Sequence, residues 1–137
     1  MGLLAHQAGD YWITRAARAS TYFPHMASDD EMVPLPPVGR RFTTTRRVRL
    51  GDASPRGRLR LDAIARYLQD VANDDAHDSG IANPGGWVVR RTTVQVTAEI
   101  AFREQVEVTT FCSGIGKRWA ERRTVIVGDD GGRVDTV

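Results

Sequence analysis

The stretch LDAIARYLQDVANDDAHDSG, Leu61 to Gly80, decides how this 137-residue chain folds. Leu61, Ile64, Ala65, Leu68, Ala72 and Ala76 recur at steps of three and four, the spacing that gathers side chains on one helix face. The period predicts an amphipathic helix from about Leu61 to Asp78. Asp62 near its start suits the positive end of the helix dipole, and Gly80 stands just past its end as a cap. Asp70, Asp74 and Asp78 fall on the polar side. Asn73 and His77, four apart, share one face at the border of the apolar stripe.

Outward from the helix the period changes to two. Before it, Phe42, Thr44, Val48 and Leu50 alternate with polar neighbours and predict a strand, followed by a loop with Gly51, Pro55 and Gly57. After it, IANPGG reads as a loop. Val94, Val96, Ala98, Ile100 and Phe102 then alternate as a long half-buried strand beginning near Trp87. QVEVTTFCS and RWAERRTVIV are two further strands joined by GIGK. Asp130-Gly131 is a tight-turn signal, and RVDTV opens another strand. Strand, long helix, then at least four strands in meander is an α+β pattern. One helix of this length needs a sheet to cover it, and a curved antiparallel sheet can wrap around it. That is the layout of the hotdog fold.

Residues 1–40 carry no sustained period. Pro34, Pro36 and Pro37 prevent a regular helix, so this segment is expected to be a weakly ordered extension to a folded unit at 41–137. Met26 and Met32 are equally natural starting points for the folded part.

The totals set limits. The chain is 41% hydrophobic and 26% charged, the profile of one globular domain. No apolar run approaches the roughly 20 residues that span a bilayer. No basic start leads into an apolar core, so a secretory signal is not expected. Cys112 is the single cysteine, which excludes an internal disulfide and suits a reducing compartment, the cytoplasm. The net charge is +2. The cations are nearly all arginine, spread among acids except for the pairs Arg40–Arg41, Arg46–Arg47, Arg90–Arg91 and Arg122–Arg123. Paired arginines on strands suggest one solvated side chain per face. No aromatic stacking platform accompanies them, so a nucleic-acid partner is not expected.

With the order fixed, three segments resemble one family. LQDVANDDAHDSG is similar to the helix segment in the first half of acyl-acyl carrier protein thioesterases, with Leu68, Gln69, Asp70, Ala76 and Gly80 in step. WVVRRTTVQV resembles the strand that follows, with Trp87 in place. EVTTFCSGIGKRWAERR resembles the next hairpin through Gly116, Lys117, Arg122 and Arg123. The likeness covers roughly residues 42–137. It implies a hotdog fold and hydrolysis of fatty acyl thioesters, with acyl carrier protein or acyl-coenzyme A as substrate. The family carries two hotdog domains in tandem. Its catalytic Asp-x-Asn-x-His motif lies in the second, which this chain lacks. The resemblance therefore implies an acyl-binding half, incomplete at its end, that relies on a second hotdog domain or on a homodimer. Ala65, Leu68, Ala72 and Trp87 are the expected substrate contacts, with Ala65, Ala72 and Ala76 as the small residues that leave room for an acyl chain beside the helix. The catalytic residues stay unassigned and no cofactor is implied. The alternative is a non-catalytic acyl-binding or assembly domain.

Other chemistry weighs less. Asn73 could polarise a thioester carbonyl and His77 could act as a base, but their border position fits a solvated or interface role better. Asp52, in the loop before the helix, is placed as the catalytic aspartate of some single-domain hotdog enzymes, and is equally ordinary turn chemistry beside Gly51. Cys112 falls in a strand pattern and reads as a buried small residue. His6, His25, His77 and Cys112 are too scattered for a metal site. Gly114, Gly116 and Lys117 fail as a phosphate loop, because Phe111 and Arg118 stand where Gly and Ser or Thr are needed.

Overall fold

The computed structural model describes residues 32–80 and 87–137. The 1–31 part of the predicted extension, with His6 and His25, and the IANPGG loop lie outside the described residues. Strand β1 is Phe42–Arg47, helix α1 is Leu61–Asp78, and β2 to β5 are Val94–Ala98, Gln105–Gly116, Trp119–Gly128 and Arg133–Thr136. The five strands form one antiparallel sheet in the order β1-β3-β4-β5-β2. One long helix on an antiparallel sheet is the hotdog arrangement that the sequence predicts. Strands β3, β4 and β5 do form a meander, but β2 pairs with β5 at the far edge and not with β3. Alternation shows which strands exist and leaves their partners open.

The helix spans the predicted residues, and its inner stripe lies one residue away from the predicted one. Ile64, Tyr67 and Val71 are buried and join Val48, Ile100, Val106, Val108, Ile126 and Val134 in the core. Of the predicted stripe, Ile64 and Ala76 are buried, Leu68 and Ala72 are half-buried, and Leu61 and Ala65 are exposed. A step of one residue is a rotation of about 100° around the helix. The helix thus has two adjacent apolar flanks, of which the one with Ile64, Tyr67 and Val71 is the more deeply buried against the sheet. Truncating a member of the inner flank such as Ile64 to Ala would cost about 2–5 kcal/mol.

Three predicted elements end differently. Strand β1 stops at Arg47, and Leu50, expected inside it, is 76% exposed in a 3-10 turn, Leu50–Asp52. Strand β2 does not reach Ile100 or Phe102. A bulge at Val96/Ala98 breaks its register, and Arg103 turns the chain with φ 73°. Strand β3 continues through Ser113–Gly116, so Lys117 and Arg118 alone connect it to β4. That continuation depends on glycine. A Cβ on Gly116 would collide with the Trp119 indole, and one on Gly114 would lie 3.2 Å from it. The turn at Asp130-Gly131 forms as predicted, with Gly131 at φ 93°.

Two buried charges fasten the sheet. The Glu104 carboxylate accepts backbone N–H bonds from Ala101 (2.7 Å), Asp130 (3.1 Å) and Gly132 (3.3 Å), joining the β2–β3 reversal to the β4–β5 turn. On the face away from the helix, Arg123 is 3% exposed. It donates to the Val33 carbonyl at 2.9 Å and pairs with Asp135 at 3.2 Å. The second arginine of this pair is therefore internal, where the sequence suggests a solvated side chain. Its carboxylate partner stands twelve residues away on β5, a distance that periodicity does not report.

Candidate functional site

Register shows where the core is open. Thr44, Val108, Ile126, Val134 and Val96 stand in one row across the sheet, and Phe42, Thr110, Thr124, Thr136 and Val94 in the next. Directly paired residues of an antiparallel sheet point to one face, so both rows face the helix. Val108, Ile126 and Val134 are buried at 0–1%. Val96 and Val94 end the same rows and are 46% and 36% exposed. The apolar layer therefore continues past the area that α1 covers. Among the described residues, strand β2 has no neighbour on its outer side, and all five of its residues are exposed. The expected half-burial fails here because nothing among the described residues lies over it.

The outer flank of α1 is also incompletely covered. Leu61 is 66% exposed, Ala65 is exposed, and Leu68 and Ala72 are half-buried, with Leu68 still touching the core. Ala65, Leu68 and Ala72 thus share one helix flank. The structure does not place Trp87 in the strand with Val94. It lies in a stretch without regular structure, 53% exposed, followed by Val88 at 82% and Val89 at 75%. Trp87, Val88 and Val89 are thus three consecutive apolar side chains left exposed among the described residues.

The second feature is polar. Asp52 is 6% exposed and its carboxylate is fully engaged. The Tyr67 hydroxyl donates to it at 2.7 Å, the Arg49 amide at 3.0 Å, and the Arg66 guanidinium pairs with its other oxygen. Burial alone would push its pKa up; these donors outweigh burial and hold it below the ordinary aspartate value. Burial and the same bond push the Tyr67 phenol well above its usual range. An anion so held anchors the loop to the helix and is a poor general base. Arg46 stacks on the Tyr67 ring at 4.4 Å and pairs with Asp70 at 2.8 Å.

A third cluster lies near the end of the helix. Asp75 is 2% exposed. One of its oxygens pairs with Arg40 at 2.7 Å, the other with Arg122 at 2.8 Å. Arg122 also donates to Thr110, which takes a second bond from Thr124. Sequence reasoning missed Asp75, Tyr67 and their arginines. The signal was present, because Asp75 follows Ile64, Tyr67 and Val71 in phase.

The remaining candidates are not brought together with these. Asn73 and His77 are exposed on the helix. Cys112 is half-buried, and burial pushes its thiol pKa up, away from the thiolate that nucleophilic attack needs. Lys117 is at the β3–β4 turn. No group of three or more metal-binding side chains occurs among the described residues. None of the described helices is long and apolar enough to cross a membrane.

Comparison with known proteins agrees with the fold. The acyl-ACP thioesterase N-terminal domain family matches residues 39–137. An uncharacterised protein of Mycobacterium tuberculosis H37Rv is 31% identical over 109 residues, covering 79% of this chain and 44% of the relative. The chain thus spans less than half the length of the curated relatives it matches. Among solved structures, the 12:0-ACP thioesterase of Umbellularia californica superposes with TM-score 0.62 at 21% identity, over 70% of this chain and 41% of that one. An acyl-ACP thioesterase of Bacteroides thetaiotaomicron gives TM-score 0.61 at 20% identity, over 70% and 43%. A thioesterase of Thermus thermophilus, solved with coenzyme A and zinc, gives 0.62 at 17%, over 69% and 72%. These likenesses are likenesses of fold.

Proposed function

The chain belongs to the acyl-ACP thioesterase family, matching its N-terminal domain, and on that premise we propose that it supplies the acyl-binding half of a fatty acyl thioester hydrolase. Water adds to the thioester carbonyl, the C–S bond breaks, and free acid and carrier thiol leave. The observation that carries this reading is exposed apolar surface on both layers: Val94 and Val96 at the end of the core rows of the sheet, and Ala65 with the half-buried Leu68 and Ala72 on the outer flank of α1. A second hotdog domain laid along β2 would cover the strand edge and enclose an acyl chain against that flank. Small alanines there leave width for it. Trp87 would lie at the same border.

Catalytic groups are assigned to the second domain. Among the described residues, the candidate carboxylate Asp52 is saturated, the candidate thiol Cys112 is held protonated, and Asn73 and His77 face outward. The thiol carrier is acyl carrier protein or coenzyme A, and a reducing cytoplasmic setting suits the lone cysteine.

Release of thiol from acyl carrier protein thioesters tests the reading. The 137-residue chain alone should bind acyl thioesters and turn over essentially none. Supplying a second hotdog domain should restore hydrolysis, and Val94→Asp with Val96→Asp should abolish both association and turnover. Efficient hydrolysis by the monomeric chain alone would refute the divided site. Binding without turnover, with the second domain present, would favour a non-catalytic acyl-binding domain instead.

A further inference from the structure

Two stretches overhang the same end of the sheet. Strands β3 and β4 stay paired beyond Phe111 and Arg123, up to Gly116 and Trp119. On the other side of β5, Thr93 and Val137 exchange backbone hydrogen bonds at 2.6 and 3.1 Å. Antiparallel pairing brings the close of β3, the start of β4, the close of β5 and the start of β2 to one end. Residues 87–92 therefore enter β2 from the end that carries the β3–β4 turn. Of the two stretches, the acyl-binding reading uses only Trp87.

Each stretch sets an exposed tryptophan near two consecutive cations. Trp87, Val88 and Val89 lead into Arg90-Arg91, and Lys117-Arg118 leads into Trp119. The Trp119 indole lies against Gly116 and Gly114, in space that a Cβ would take, and is still 54% exposed. Between them, residues 87–93 and 112–122 hold five cations and one carboxylate, Glu121. Glu121 accepts a hydrogen bond from Ser113 at 2.8 Å, and Arg122 is committed to Asp75. Arg90, Lys117 and Arg118 are exposed and pair with no carboxylate among the described residues.

Exposed apolar side chains among unbalanced cations are the elements of attachment to a membrane surface. Indoles settle at headgroup level, and Lys and Arg are drawn to anionic lipids. Residues 87–93 have no regular structure. A partner protein would need a shaped counterpart for them, whereas a bilayer needs none. We propose that this end of the sheet binds an anionic lipid surface. Trp119 and the run Trp87, Val88 and Val89 sit at headgroup level, with Arg90, Lys117 and Arg118 against the lipid phosphates. The contact changes no bond and is independent of the thioester reading.

Co-sedimentation of the full chain with phosphatidylcholine vesicles, with and without phosphatidylglycerol, tests this. Binding is expected only with phosphatidylglycerol, and it should weaken as salt rises. A blue shift of tryptophan emission should accompany it and be smaller in Trp119→Phe. The variant combining Arg90→Gln, Lys117→Gln and Arg118→Gln should bind about a hundredfold more weakly, roughly fivefold for each cation removed. Val88→Ser with Val89→Ser should also weaken binding. All five side chains are exposed, so both variants should unfold at the parent's temperature. Equal binding to neutral vesicles, no binding to either kind, or unchanged binding by either variant would overturn the proposal. Retention by polyglutamate without vesicle binding would point to an acidic protein and overturn it too. If supplying a second hotdog domain removes vesicle binding, the two stretches lie between domains and the lipid surface is likewise refuted.

Discussion

Replacing Asp75 by Asn should loosen the helix from the sheet more than any change at the helix's other aspartates. The carboxylate is 3% exposed, between Arg40 at 21% and Arg122 at 30%. It holds the final turn of α1 to β4 and to the residues just before β1. Breaking a fully buried ion pair from one side costs about 3–5 kcal/mol, because the remaining charge is stranded. Here both guanidiniums reach water, which recovers part of that loss, and the Asn carbonyl still accepts one hydrogen bond. The expected cost is therefore about 2–3 kcal/mol. For a chain of this size that is a fall of roughly 7–10 °C in unfolding temperature. Urea unfolding followed by circular dichroism measures it, with Asp78→Asn as control. Asp78 also pairs with Arg40 but is 56% exposed, so its loss should stay within about 0.5 kcal/mol. A double-mutant cycle between Asp75→Asn and Arg122→Met should show coupling of about 1–2 kcal/mol. If Asp75→Asn and Asp78→Asn were equally mild, the cluster would be a surface ornament and the reasoning would fail.

The other anchors can be tested in the same way. The Asp52 pKa is depressed below 3.8, so its contribution is complete above that value and disappears as pH falls through the folded-state pKa. Unfolding temperature against pH should show this acid loss in the parent and a flatter acid limb in Asp52→Asn. Tyr67 is shifted upward from 10.0; its contribution is complete below pH 10 and is lost above it, a loss that Tyr67→Phe should remove along with about 1.5–3 kcal/mol. Gly116→Ala should cost about 1–3 kcal/mol through overpacking on Trp119. A change in the tryptophan near-ultraviolet signal would accompany it, and unchanged stability would show that the hairpin end adapts freely.

The helix was legible in the sequence to its end residues because its period is long and Gly80 closes it. The strands were legible as strands, since alternation and Asp130-Gly131 are local signals. Strand order was not, because the pairing of β2 with β5 is decided by contacts between segments far apart in sequence. The inner flank of α1 was misplaced by one residue for a specific reason. Tyr67 has an apolar body with a polar tip, and Asp75 is charged, so neither counted as core. Yet Tyr67 finds Asp52, and Asp75 finds two arginines. Once paired, both can be buried. The set of alanines beside Leu68 was legible in the sequence, but the exposure of Val94 and Val96 was not. Exposure depends on what lies over them in space, which periodicity does not report.

The two flanks of α1 differ in how much of the fold depends on them. Ile64, Tyr67 and Val71 carry the attachment to the sheet, and changes there are felt by the whole domain. Ala65 and Ala72, one residue further round, carry less of it, and Leu68 shares in it from the edge. Under the proposed function, changes at Ala65 and Ala72 would alter what fits against the helix at little cost to the fold.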